Sequence, residues 1–225
     1  MNEIARKTDI TATEASRQIQ RLVEELIIQK QPDSAYILTN YGRLVLHFLP
    51  SLEFIFKHKQ YFSIHDIWKL PYHFINRIGE LSQGNLCTQV AETVNRIENM
   101  MKTSNEYVWV LTDQAMTTHS DAMNERISKG VKFRSLIHEK LIDSPQVRVF
   151  GKNVERRLIS SIPALVVVTE KEAFFSLLSM DGKIDPSGFF GSDPIFMKWV
   201  TDLYLHYWDQ TDRQFPKLSP SNNKS

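Results

Sequence analysis

Between residues 10 and 30 the apolar positions recur every three or four residues. Ala15, Ile19, Leu22, Val23, Leu26 and Ile27 fall on one side of a helix, and Thr13, Ser16, Arg17, Gln20, Arg21 and Glu24 on the other. Thr11 and Glu14 have capping-box spacing, so the helix is expected to start near Ala12 and run to Ile27. A short amphipathic piece at residues 2–7 and a turn at 8–10 precede it. Residues 26–30 and 36–39 read as two strands joined by the turn 31–35, which contains Pro32 and Asp33. Helix, turn, longer helix and hairpin is the order of a winged helix-turn-helix.

From residue 40 to about 63 the apolar stripe continues at helical spacing through Leu44, Val45, Phe48, Leu49, Leu52, Ile55, Phe56 and Phe62. Pro50 is expected to kink or split this connector. The stripe is long for a small winged domain to bury alone, so a dimerisation role is expected. Further on, residues 72–81 and 88–103 read as helices, the second with Val90, Ala91, Val94, Ile97, Met100 and Met101 inward. Strands are expected at 107–112, 131–137, 146–150 and 155–159, with a helix at 121–128 closed by Gly130. Residues 165–169 and 173–178 read as a hairpin, 180–194 as a loop. A last helix runs from Pro194 to Trp208, capped by Asp193. The fold class is α/β, α+β overall. The expected division is a winged helix-turn-helix at 1–40, a connecting or dimerisation helix at 41–66, an α/β domain at 67–212 and a flexible tail at 213–225. The usual first helix of a winged domain has no counterpart before residue 2, and cover from a partner subunit or the following helix is expected.

Composition narrows the function classes. The 225 residues are 42% hydrophobic and 24% charged, a globular balance. No apolar run is long enough to cross a bilayer and no secretory leader opens the chain, so a cytoplasmic protein is expected. The single Cys87 excludes an internal disulfide and a multi-cysteine zinc site. Net charge is +1, and residues 1–66 carry eight Lys or Arg against eight Asp or Glu. Duplex DNA as partner therefore requires a local basic face. The residues expected at it are Thr11, Thr13, Ser16, Arg17, Gln20 and Arg21, with Lys30 and Tyr36 from the hairpin. They are short or hydrogen-bonding side chains suited to base edges and phosphates.

In the second region His138-Glu139-Lys140 is similar to the opening of the phospholipase D signature, His-x-Lys-x4-Asp. Pro145 stands where that signature needs Asp, Asp143 comes two residues early, and a second copy is absent. Catalysis by His138 is not expected. No phosphate-binding glycine loop, serine nucleophile elbow or metal-spaced histidine cluster is present, so neither metal nor cofactor is expected. Trp109, Asp113, Gln114, His138, Glu155, Arg157, Asp181 and Lys183 are candidates to line a small-molecule effector pocket. Each also reads individually as an ordinary surface or turn residue.

Two sets of residues resemble known families. Leu38-Thr-Asn-Tyr-Gly-Arg43 resembles the ending of many archaeal winged-helix regulators. Across about 66–212, Arg77–Leu81, Thr112-Asp-Gln114, Val154–Arg157, Val168–Ala173, Asp181–Asp185, Gly188–Asp193 and Trp199–Leu203 resemble, in order, the archaeal methanogenesis regulatory protein middle domain. That domain is similar to the phospholipase-D-like domain of archaeal sugar-sensing regulators with its catalytic residues lost. The resemblance implies a non-enzymatic, DNA-binding homodimer whose C-terminal domain senses an effector or sets the oligomer. A degenerate phosphodiesterase and a protein-interaction module that no longer touches DNA are the alternatives.

Overall fold

Thr11 decides where the second helix begins. Its Oγ1 accepts a hydrogen bond from the Glu14 backbone N–H at 3.1 Å, satisfying a donor that the first turn leaves open. In the computed structural model, which describes residues 2–113, 120–142, 153–183 and 185–212, helix α1 spans Asn2–Thr8 and α2 Ala12–Glu24. The chain divides into two units, Met1–Glu53 and Phe54–Ser225.

In the first unit, α2 stops three residues short of the expected Ile27. Leu26 adopts a left-handed backbone (φ 58°), its N–H donates to Val23 O, and the Ile27 N–H donates to Leu22 O. This paired closure ends a helix abruptly. Strands β1 (Ile28–Lys30) and β2 (Tyr36–Leu38) then pair antiparallel, Lys30 opposite Tyr36. Helix α3 follows over Asn40–Lys57. It continues through Pro50, and the break expected at that proline comes instead at His58, before α4 (Lys59–Ile64). Among the described residues of this unit the buried apolar ones are Ala5, Ala15 and Ile19; Leu22 and Leu26, expected inward, are exposed.

The second unit is built on strands that are apolar on both sides and need cover on both faces. Helix α5 (Tyr72–Ile75) and a 3-10 turn at Ile78–Leu81 replace the single helix expected over 72–81. Strand β3 (Asn85–Cys87) and α6 (Val90–Thr103) follow, then β4 (Tyr107–Thr112), α7 (Ser120–Ser128) and β5 (Lys132–His138). Strands β6 (Val154–Ile159), β7 (Ala164–Thr169), β8 (Ala173–Leu177) and β9 (Gly188–Gly191) lead into α8 (Pro194–Asp209). The strand expected at 146–150 and the tail at 213–225 lie outside the described residues. The sheet order is β3-β9-β8-β7-β4-β5-β6, with β4, β5 and β6 parallel and the other pairs antiparallel.

Helix α8 covers one face with Phe196, Trp199, Val200, Leu203 and Tyr204, and α6 and α7 cover the other with Ile97, Met100, Met101, Met123 and Ile127. On α6 the buried set shifts. Val90, Ala91 and Val94 are exposed, and Thr93 is buried with its hydroxyl donating to Cys87 Sγ at 3.2 Å. Among the described residues no helix is long and apolar enough to cross a membrane.

A half-exposed ion network ties α8 to the turn before β3. Arg77 forks onto Glu80 (2.8 and 2.7 Å) and reaches Asp202 at 2.9 Å, which also accepts from Lys198. Burial works to raise the Asp202 carboxyl, but the hydrogen bonds from Lys198 and Arg77 outweigh it, so Asp202 titrates below the ordinary carboxylate value. A depressed carboxylate stabilises the fold above its unfolded pKa, and that contribution is lost as pH falls through the folded one. Asp202→Asn is expected to cost about 1 kcal/mol at pH 7, and the difference from the parent should shrink as pH falls below the ordinary carboxylate range. Urea titrations over a series of pH values from neutral downward check this.

Candidate nucleic-acid interface

The approach between α1 and α2 depends on small residues. Ala5 and Ala15 are buried, and Asp9 takes a left-handed backbone (φ 54°) that turns the chain between the helices. The Ile10 N–H donates to Ala5 O at 3.1 Å. Ile19, one turn further along α2, is buried too. With Ala15 and Ile19 inward, Thr13, Ser16, Arg17, Gln20 and Arg21 are all exposed on the remaining surface of α2, as are Thr11 at its start and Lys30 and Tyr36 on the hairpin.

Three internal pairings on α2 were not read from the sequence. Arg17 Nη2 lies 2.6 Å from Glu14 Oε2, and Gln18 donates to the other Glu14 oxygen at 2.5 Å. The Gln18 hydrogen bond, then that of Arg17, holds the Glu14 carboxyl below its usual value. Gln20 donates to Glu24 at 3.0 Å. The spacings of three and four were the available signal. An exposed pair of this kind contributes little in water, so a phosphate can displace Glu14 from Arg17 at small cost.

Thr39 and Gly42 join the hairpin to α3. The Thr39 hydroxyl donates to Leu26 O at 2.5 Å and accepts from the Gly42 N–H at 2.9 Å. Gly42 lies against the Ile27 backbone, where a Cβ would come within 2.0 Å of the carbonyl oxygen. The Leu-Thr-x-x-Gly-Arg pattern at 38–43 thus has a steric basis. At the hairpin tip Asp33 Oδ1 accepts from the Ala35 N–H, and Ser34 is left-handed (φ 68°).

The candidate effector residues occupy three places in the second unit. At the carboxyl ends of β4 and β5, Asp113 pairs with Lys140 at 3.1 Å, and His138 Nδ1 accepts from the Lys140 N–H at 3.0 Å. One Asp113 oxygen is buried without a hydrogen-bond partner. At the β6 edge of the sheet Trp109, Arg134 and Glu155 stand in register on three adjacent strands. Arg134 lies 5.5 Å over Trp109 and 5.2 Å over Trp208, and 3.4 Å from Glu155. Arg157 stacks on Trp208 at 4.2 Å and donates to Trp208 O and Thr211 O, carbonyls at the α8 C-terminus. Asp181 and Lys183 form the third place, a turn in which they pair with each other at 2.6 Å. The hydrogen bond from Lys183 drives the Asp181 carboxyl far down. Gln114 lies outside the described residues. Among the described residues no group of three or more His, Cys, Asp and Glu is placed to hold a metal ion.

The sequence pattern of one family, described as the methanogenesis regulatory protein FilR1, middle domain, matches residues 90–210. No curated protein matches this chain. Among solved structures, "TrmBL2, an archaeal chromatin protein", whose title reports "a novel mode of DNA binding", is similar over 91% of this chain and 84% of its own, at 12% identity and a TM-score of 0.49. NucT from Helicobacter pylori is similar over 57% of this chain and 96% of its own, at 11% identity and a TM-score of 0.47. Nuc from Salmonella typhimurium, a phospholipase D family member, is similar over 55% and 90%, at 11% identity and 0.41. At such scores none of the three transfers a residue role to this chain.

Proposed function

Because the chain belongs to the family of the methanogenesis regulatory protein FilR1, middle domain, we propose that it is a DNA-binding transcription regulator that acts as a homodimer. The observation that carries this reading is the joint exposure of Thr13, Ser16, Arg17, Gln20 and Arg21 on the second helix of a helix-turn-helix. In this reading α2 enters the major groove. Gln20 and the two arginines take bases or phosphates, and the hairpin with Lys30 and Tyr36 approaches the backbone. The Phe54–Ser225 unit senses an effector or sets the oligomer, and it does so without catalysis. His138 already accepts from its own turn, and Lys140 is engaged by Asp113.

The even charge balance of residues 1–66 makes the attraction local and sensitive to salt. Anisotropy titrations of genomic duplexes against the full chain at several salt concentrations test it. Arg17→Ala and Arg21→Ala are each expected to weaken binding by about 1–3 kcal/mol, and a phosphate-contacting arginine, when removed, to flatten the salt slope by about one unit. Equal affinity and slope in the doubly substituted protein would overturn the assignment of α2. Turnover of a phosphodiester by the parent, lost in His138→Ala, would overturn the non-catalytic part.

A further inference from the structure

Among the described residues helix α3 carries more exposed large apolar side chains than any other element. Tyr41, Val45, Phe48, Leu52 and Ile55 are spaced four, three, four and three residues apart. That spacing draws a seam along one side of a helix about 27 Å long. Leu44, Leu49 and Phe56 widen the seam on its two flanks, while exposed Leu46 lies on the far side of the helix. The charged residues Arg43, Glu53 and Lys57, and also His47, fall at least about 120° round the helix from the seam. Phe54 lies on that far side too and is buried in the second unit's core.

Apart from half-buried Val45, these seam and flank side chains are between 36% and 70% exposed. At roughly 200 Å² for a large side chain in full contact with water, they present on the order of 700 Å². One partner contributes about 800 Å² to an interface of standard size. Among its described residues the Met1–Glu53 unit meanwhile buries only Ala5, Ala15 and Ile19 of the apolar ones, too little burial to offset the ordering of so many residues.

We propose that a second copy of this chain covers the seam, α3 against α3 across a two-fold axis near Phe48. An apolar strip without charge on its flanks matches itself, as the identical patches of a two-fold pair must. Phe48 is central in Asn40–Lys57, so it meets its counterpart whether the helices run parallel or antiparallel. The inference deepens the homodimer part of the proposed function and does not use the DNA contacts.

Sedimentation equilibrium of the full chain without DNA is expected to give twice 26.2 kDa. Phe48→Glu with Leu52→Glu is expected to raise the dimer dissociation constant at least a hundredfold. Because that variant also risks misfolding, a second arm uses Cys87→Ser, which removes the only cysteine. In that background Phe48→Cys should oxidise to a covalent dimer, and Arg43→Cys, on the opposite side, should not. A monomer across the micromolar range would overturn the proposal. So would a dimer in which Phe48→Cys stays unlinked. Loss of DNA binding by Arg17→Ala with Arg21→Ala, at unchanged mass, would leave the seam standing, so the two readings fail separately.

Discussion

Gly42→Ala is expected to disorder residues 2–53 while the seven-stranded unit keeps its fold. A Cβ at Gly42 would sit 2.0 Å from Ile27 O, 2.8 Å from Ile27 C and 3.2 Å from Ile27 Cα. All three are backbone atoms, so no side-chain rotation relieves the clash. Strand β1 starts at the next residue, and the Thr39 hydroxyl is bonded to Leu26 O beside it. Moving α3 away from Ile27 therefore breaks the cap as well. The expected cost is about 3 kcal/mol, the upper part of the range for overpacking. A unit whose buried apolar residues are two alanines and one isoleucine has little reserve to absorb it. Hydrogen exchange read by mass spectrometry should show lost protection in residues 2–53 and parental protection in β4, β7 and β8. Parental protection throughout would refute so close an approach at Gly42.

Trp199→Ala is expected to cost about 3–5 kcal/mol, the usual price of emptying a buried aromatic site. Trp199 is fully buried between Phe74 and Phe175, edge to face with both at 5.5 and 4.9 Å. Its Nε1–H donates to Phe74 O at 3.2 Å. Truncation removes the ring from between α5 and β8 and takes from the Phe74 carbonyl one of its two donors, the Arg77 N–H at 3.1 Å remaining. The denaturant midpoint should fall with little change in slope. Trp68→Ala provides the scale. That ring is 70% exposed, and its removal should shift stability by no more than about 0.5 kcal/mol. A Trp199→Ala protein as stable as Trp68→Ala would contradict the core placement.

Some of this fold is legible along the chain because the deciding interactions are local. Thr11 caps α2 from three residues away, and Asp193 caps α8 by accepting from the Ile195 and Phe196 N–H groups, with Pro194 in the first turn. The β7–β8 hairpin closes on itself, Thr169 N–H to Glu172 O. Strand β9 was not legible. Gly-Phe-Phe-Gly at 188–191 neither alternates nor carries β-branched residues, and it reads as loop. It is nevertheless paired on both edges and wholly buried. Its glycines are needed because a Cβ on Gly188 would meet Phe175 O at 2.6 Å, and one on Gly191 the Phe196 ring at 2.5 Å.

The exposed polar face of α2 follows from helical spacing once Ala15 and Ile19 point inward. The candidate effector residues are different. Spacing could nominate Trp109, Glu155, Asp181 and Lys183, but only the register of β4, β5 and β6 puts Arg134 between Trp109 and Glu155. Likewise only the end of α8 supplies the carbonyls that Arg157 binds.

By itself the sequence determined where helices start, where hairpins turn and which side of α2 is polar. Those outcomes rest on hydrogen bonds and sterics spanning a few residues. Tertiary structure decided which apolar residues are covered: Thr93 rather than Val94 on α6, Phe54 but not Phe56 on α3. Burial depends on what arrives from distant parts of the chain, and no local pattern contains that neighbour.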